Sequence, residues 1–398
     1  MKLSKKTKYR PHQIDPKTDA FAHWPKNHLR EQPLDRNRLD NFDYLTLGLT
    51  FILVFLGILT IYSATYNPEA SGWLTGFCRR QCIWFSFALA IGTFLFVFHY
   101  NLLYQAAYPL YGISLLLLLA VAVAGSQHMG ATRWLSIGGM NVQPSEFAKI
   151  TVILALARYL SDRSLPPPYN LKELLMPAII IILPTVLILK QPDLGTAMLI
   201  ILISGVIIFI AGITRRTIIT ISLSALTTAF VGWHFLHDYQ RQRILTFINP
   251  ESDPLGSGYH IAQSKIAIGA GKLFGKGFLK GTQNTLHFLP EQHTDFIFAA
   301  YAEQWGFLGA IILLALYFAF LFRALNIAME ARDSFGSYLA TGIAAIFFWQ
   351  VTINIGMVSG LMPVVGIPLP LFSYGGTSML TSMVLISTLL NIHYRRKA

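Results

Sequence analysis

Residues 305–322 read WGFLGAIILLALYFAFLF, 18 positions without a charged side chain, bounded by Glu303 before and Arg323 after. At 1.5 Å per residue such a run forms a helix of about 27 Å, close to the roughly 30 Å hydrocarbon core of a bilayer. A soluble helix of this length would need a polar face, and this run has none. Runs of the same kind recur along the chain, near 45–65, 80–98, 102–124, 145–160, 173–190, 195–212, 217–236, 296–322, 338–358 and 373–392. The expected fold is therefore an all-α polytopic membrane protein with about ten transmembrane helices. An even number places both termini on one side.

Composition agrees, with 54% hydrophobic and 13% charged residues in 398. The 31 Lys and Arg against 19 Asp and Glu would suit a nucleic-acid binder, but the cations follow the membrane. With the N-terminal tail taken as cytoplasmic, 20 of them fall on the inner side. Residues 1–44 form a basic tail (Lys2, Lys5, Lys6, Lys8 and Arg10 lead it) without the features of a cleaved signal. The composition suits a disordered segment or contact with anionic lipid. The remainder, 45–398, is one membrane domain with a single long connection at 237–294 on the outer face. Cys78 and Cys82 are four apart and match no zinc or redox motif, so they read as small apolar filler.

Charge in this setting needs a reason. Glu291, His293, Asp295 and Glu303 lie at and inside the start of the run at 296–322. One reading makes Thr294 an N-cap with Asp295 in the first helical turn. The other makes Asp295 functional, because an ionisable group at a membrane boundary marks a site by default. Glu303, eight residues further on, reads as a polar contact inside the bundle. In "RWLSIGGMNVQPSEFAKI", Arg133 precedes a Gly-rich turn and Ser145 reads as the cap of a helix carrying Glu146 and Lys149 at i, i+3. That arrangement serves either as an ion pair or to orient a polar head group. In "LKQPDLGTAM", Asp193 is a natural N-cap.

The outer connection mixes Arg241, Arg243, Lys265, Lys272, Lys276 and Lys280 with glycines. Such a mixture suits phosphate, since glycine lets backbone N–H groups approach and the cations supply opposite charge. "GKLFGKG" is not a Walker A loop, having three residues between its glycines. Residues 354–378, NIGMVSGLMPVVGIPLPLFSYGGTS, are apolar yet crowded with Gly and Pro. They predict a broken or re-entrant connection between the last two spans.

These stretches together resemble the SEDS (shape, elongation, division, sporulation) family, which includes RodA and FtsW. The resemblance rests on Asn354, Gly360, Pro363, Gly366 and the closing "SYGGTS", with "RWLSIGG", "QPSEFAK", "QPDLGT" and "FLPEQHTDFIFA" in support. It spans about residues 43–395, and "HDYQRQR" with "PESDPLGSGYHIAQSKIAIG" is closer to the RodA branch. The resemblance implies a ten-span fold and a peptidoglycan glycosyltransferase polymerising lipid II at the periplasmic face of the inner membrane, with both termini cytoplasmic. It also implies a class B penicillin-binding protein as partner within the elongation complex.

On that resemblance Asp295 is the catalytic residue. Arg133, Glu146, Lys149, Asp193, Arg241, Arg243, Lys265, Glu291 and His293 are candidates for substrate binding, and Glu303 and Ser373 for support. Arg133, Lys149, Arg241, Arg243 and Lys265 are the candidate pyrophosphate contacts, and a divalent cation, magnesium or manganese, would share that task. Two other functions compete. A lipid II flippase requires polar residues continuing inward from Asp295, and residues 305–322 offer none. A non-catalytic scaffold for the penicillin-binding protein leaves the outer ionisable cluster unexplained.

Overall fold

The computed structural model describes residues 42–66, 75–128, 131–137, 140–163, 167–232, 234, 238–249, 251, 253, 256–281 and 292–396. The tail at 1–41 and Glu291 lie outside them. Ten helices answer to the ten apolar runs: α1 (Tyr44–Ala64), α2 (Gly76–Val97), α3 (Asn101–Ala124), α4 (Pro144–Ser161), α5 (Leu175–Lys190), α6 (Leu194–Ala211), α7 (Arg215–Gly232), α10 (Ile297–Glu330), α11 (Ser334–Val358) and α12 (Gly376–Tyr394). Two more, α8 (Asp238–Ile248) and α9 (Ser257–Ala270), fall in the long connection. The protein is thus an all-α polytopic membrane protein. Among the described residues seven helices are long and apolar enough to cross a bilayer: α1, α2, α3, α5 with the turn before it, α6, α10 and α11. Of the other three, α4 carries Glu146, Lys149 and Arg158, α7 begins with two arginines, and α12 is rich in Ser and Thr.

Charge on α4 is tolerated because that helix is interior. It packs against α3, α5, α6, α11 and α12, and 14 of its 18 residues are buried. Its neighbour α11 is nearly as enclosed, with small residues such as Ala340, Ala344 and Ala345 on a buried surface, the composition that lets membrane helices approach closely. The outer helices instead present large apolar side chains outward, among them Phe51, Phe55, Ile182 and Phe318. That inside-out distribution suits lipid as solvent.

The fold departs from a purely helical reading between α3 and α4. Three short strands, β1 (Ser126–His128), β2 (Ala131–Ile137) and β3 (Met140–Val142), form an antiparallel ribbon in the order β1-β2-β3. The "Gly-rich turn" read from the sequence is the second hairpin of this ribbon, with Leu135 paired to Val142.

Contacts at the two ends of the bundle fix its topology. Arg323 Nε of α10 lies 2.9 Å from Asp43 Oδ2, and its Nη2 lies 3.2 Å from His393 Nε2 of α12, so the described chain ends meet at one end. Asp43 is also the N-cap of α1; although assigned from sequence to the tail, it belongs to the fold. At the other end Gln292 Nε2 donates to the Ala64 carbonyl at the close of α1 (2.6 Å), placing Asp295 opposite the termini.

The connection between α11 and α12 is re-entrant, as its prolines and glycines predict. Val365, Ile367, Leu369, Leu371 and Phe372 are all buried without regular structure, so each backbone group there needs a partner. Three prolines, Pro363, Pro368 and Pro370, remove three donors from the account. Asn354 Nδ2 donates to the Ile367 carbonyl (2.8 Å), Tyr317 Oη to the Pro370 carbonyl (2.7 Å), and the Leu369 N–H to Ser373 Oγ (2.8 Å).

Candidate active site

Asp295 does not stand in a helix. It belongs to a turn at 292–296, and α10 begins at Ile297 with Phe296 as its N-cap and no side-chain capping bond. The sequence reading of Thr294 as cap and Asp295 as a first-turn acid is corrected accordingly: the chain is still turning at these residues because its carbonyls are held from outside.

The holding groups all come from the α11–α12 region. The Tyr374 N–H donates to the His293 carbonyl (2.9 Å), Ser373 Oγ to the Thr294 carbonyl (2.7 Å), and Asn354 Nδ2 to the Asp295 carbonyl (2.9 Å). Three consecutive carbonyls are thus gripped by donors 59 to 81 residues away in sequence. Ser373 is held in turn by Gln81 of α2, whose Nε2 donates to the Ser373 carbonyl (3.1 Å) while its Oε1 accepts from the Gly375 N–H (3.2 Å). Against the turn, the His293 ring packs on Phe77 (centroids 4.3 Å apart) and Tyr374 (5.6 Å).

The Asp295 side chain is only half-buried. Beside it lies Gly366 at φ +75°, where an added Cβ would meet Asp295 Oδ2 at 3.4 Å. A side chain at 366 would combine a left-handed backbone with intrusion on the carboxylate. The backbone of Asp295 is therefore held while its half-buried side chain lies beside Gly366.

The second cluster lies deeper. Lys149 Nζ and Glu146 Oε1 are 2.6 Å apart, with both side chains at most 7% exposed, and Thr381 Oγ1 donates to Glu146 Oε2 (3.1 Å). The ion pair read from the i, i+3 spacing exists, but it is enclosed by the bundle. A small cavity is lined by Glu146, Lys149, Thr381 and Gln350, and Gln350 is one helical turn from Asn354 on α11. Polar groups thus continue inward from the Asp295 turn to this pair along one face of α11, a continuation that residues 305–322 of α10 do not supply.

Asp193 caps α6 as its sequence predicts, accepting from the Thr196 N–H (3.2 Å) and Oγ1 (2.9 Å). It also gathers Gln143 Nε2 (3.3 Å), Ser145 Oγ (3.5 Å) and Arg133 Nη1 (3.9 Å), while Arg133 Nη2 donates to the Pro192 carbonyl. Ser145 is not the cap of α4. Gln143 occupies that position without a side-chain bond and Pro144 begins the helix, so the Ser145 hydroxyl is left to serve Asp193.

The loop cations divide. Lys265, on α9, is exposed, and the end of its side chain lies over Gly360, where an added Cβ would sit 2.1 Å from Lys265 Cε. It therefore reaches the start of the re-entrant connection. Arg241 and Arg243 are on α8, which packs on α9, and Arg241 Nη2 donates to the His234 carbonyl (2.6 Å). In the "GKLFGKG" segment Lys276 Nζ pairs with Glu303 Oε1 at 2.8 Å, and Gly271 and Gly275 lie against the backbone of α10. The polar contact expected for Glu303 inside the bundle is this pair.

Gln81 escaped the sequence reading. The available signal was a lone amide between Cys78 and Cys82 at the start of an apolar run, and intramembrane polar side chains are costly unless used. Among the described residues no three His, Cys, Asp or Glu side chains assemble to hold a metal ion. The described groups therefore do not form a complete metal cage.

Known proteins share this architecture. Residues 43–398 match the family described as Cell cycle protein, FTSW_RODA_SPOVE. The peptidoglycan glycosyltransferase MrdB of Escherichia coli (strain K12) is 43% identical over 366 residues, 91% of this chain and 97% of its own. A solved chain from a study of the structural coordination of polymerization and crosslinking by a peptidoglycan synthase complex has a TM-score of 0.76 at 32% identity, covering 89% of this chain and 98% of its own. The rod shape determining protein RodA of Thermus thermophilus has a TM-score of 0.67 at 28% identity, covering 90% and 98%.

Proposed function

The chain belongs to the FtsW/RodA/SpoVE family of cell cycle proteins, and from that membership and the site geometry we propose that it is a peptidoglycan glycosyltransferase, polymerising lipid II during cell elongation. The observation that carries the chemistry is the gripped turn, which holds Asp295 by its backbone and leaves its side chain half-buried beside Gly366.

In this reading Asp295 is the general base. It takes the proton from the 4-hydroxyl of the acceptor GlcNAc as that oxygen attacks the anomeric carbon of the donor MurNAc, and undecaprenyl pyrophosphate leaves. Base assistance is worth roughly 10²–10⁴ in rate, so charge stabilisation and positioning supply the rest. Lys265 is the cation best placed for the leaving pyrophosphate, being exposed and adjacent to the re-entrant connection. Lys149, locked to Glu146, acts by shaping the interior. A divalent cation, magnesium or manganese, would take most of its ligands from the pyrophosphate itself. An apolar cavity of about 280 Å³ between α2, α3, α4, α11 and α12, lined by Leu95, Phe98, Leu103, Ile150, Leu154 and Leu385 among others, lies toward the end carrying the termini, away from Asp295.

The excess of cations at the end carrying the termini supports a cytoplasmic placement of that end, with Asp295 at the periplasmic face of the inner membrane. The partner is a class B penicillin-binding protein that crosslinks the product, a reading supported by the likeness to a chain studied within a peptidoglycan synthase complex.

The test is incubation of the purified chain and its partner with lipid II, beside Asp295→Asn and an arm with EDTA. Glycan polymer from the wild type and none from the folded variant is the expected result. Undiminished polymer from Asp295→Asn removes Asp295 as the base, and no polymer from either favours transport or scaffolding. Activity unaffected by EDTA removes the cation.

A further inference from the structure

The helix that follows Asp295 is interrupted. Gly306 has φ 66° and ψ −164°, outside the helical region, within α10, so residues 297–305 form a half-helix between the Asp295 turn and the break. Ile297 to Gln304 are all buried. A helix that stops leaves its last carbonyls without donors, and the helix resuming beyond leaves N–H groups without acceptors.

Loop 271–280, which continues directly from α9, supplies both. The N–H groups of Lys276 and Gly277 donate to the carbonyls of Glu303 (3.0 Å) and Gln304 (3.0 Å), and those of Phe307 and Leu308 donate to the carbonyls of Lys272 (2.8 Å) and Leu273 (3.1 Å). The backbones interlock at Gly306, where an added Cβ would lie 2.3 Å from the Gly275 nitrogen.

Main chain thus pairs two carbonyls and two N–H groups of the break, and a carboxylate with no exposure at all, Glu303, is placed there and paired with Lys276 at 2.8 Å. A buried ion pair is weak evidence for stability, because desolvation offsets the attraction; the best-attested use of such groups is to fix register. Register matters here. Upstream of the loop, α9 presents Lys265 over Gly360 and is fastened to α11 by Ser264 Oγ donating to the Val358 carbonyl (2.6 Å). Upstream of the break, the half-helix presents Asp295. A slip of one turn between them would move the carboxylate about 5.4 Å relative to the cation.

We propose that Lys276 and Glu303 are a positioning pair, setting the register of the α9 loop against the half-helix and so the separation of Lys265 from Asp295. The proposal rests on the glycosyltransferase reading given above. Its test measures lipid II polymerisation by the purified chain with its partner synthase, alongside thermal melting, for wild type, Asp295→Asn, Lys276→Arg, Lys276→Gln and the double variant Lys276→Met with Glu303→Met.

The double variant removes both charges together and is expected to melt no lower than wild type, while its kcat falls about 10–100-fold with KM for lipid II nearly unchanged. Lys276→Arg is expected to keep kcat within about three-fold of wild type and Lys276→Gln to lose it, which decides the matter should the double variant fail to fold. Wild-type turnover in the double variant, a rise in KM at constant kcat, losses that follow melting alone, or equal behaviour of the Arg and Gln variants overturns the pair while leaving the enzyme reading intact. Polymer from wild type that is absent from Asp295→Asn keeps the two questions apart; no polymer from wild type ends both.

Discussion

The two ends of the bundle solve the same difficulty in opposite ways. At the end carrying the termini, charges are brought together: Asp43 with Arg323 and Thr46, Asp333 with Tyr100 (2.7 Å) and the Gly336 N–H (2.6 Å), Arg396 with Glu330. The Asn391 side chain bonds the main chain of Phe96, Phe98 and Tyr100 there. At the far end, side chains and main chain grip the carbonyls of the turn and leave the Asp295 side chain half-buried beside Gly366. The first arrangement uses charge for cohesion. The second holds the turn with amides and hydroxyls, while its ion pairs, Lys276 with Glu303 and Arg133 with Asp193, lie in flanking segments.

If that contrast is right, the two ends respond differently to substitution. The largest effect is expected for Asp295→Asn, which leaves the gripped carbonyl in place: polymerisation falls roughly 10²–10⁴-fold while melting is unchanged, measured on the same preparation. Next comes Asn354→Ala, which strips donors from two carbonyls. It should cost about 2–5 kcal/mol of stability and reduce turnover of the folded protein about 10–100-fold. A variant that melts early but turns over normally would show that the grip is structural only.

At the opposite end, Asp43→Ala removes the partner of Arg323 and the cap of α1. A loss of about 1–3 kcal/mol is expected in thermal melting, with kcat unaltered; slowed catalysis would blur the division of labour. The smallest effect is the acid response of that pair. Burial pushes the Asp43 carboxyl up, but hydrogen bonds from Thr46 and Arg323 outweigh it and hold the group below its ordinary value of 3.8. Its stabilisation is therefore complete at neutral pH and is lost only as pH falls below 3.8 through the depressed value. Melting followed against pH should show no change from this pair at neutrality, and a difference between wild type and Asp43→Ala that closes in acid.

Much of this was legible in the residues. Apolar runs of bilayer length announced the helices, the prolines and glycines of 354–378 announced the re-entrant connection, and Asp295 stood out because charge at a membrane boundary is costly. The roles that stayed hidden depend on partners distant in sequence. Nothing near Thr294 says that Ser373 will hold its carbonyl, so capping was the natural local reading. The glycines and Lys276 of "GKLFGKG" have the chemistry of an anion loop; only the break at Gly306 shows that the backbone they approach is a helix. Gln81 carries no motif at all. Local pattern records what a residue is able to bond, and the fold decides with whom.

The grip on residues 293–295 is made through main-chain oxygens, which every amino acid carries. Drift at positions 293 and 294 leaves those three bonds available, whereas drift at 354 or 373 breaks one of them from a distance. Heritable constraint on the turn that carries Asp295 is thus exported to another part of the gene. Tolerance to substitution measured along 292–296 should accordingly understate how narrowly the turn is specified, with the missing intolerance appearing at Asn354, Ser373 and Gln81.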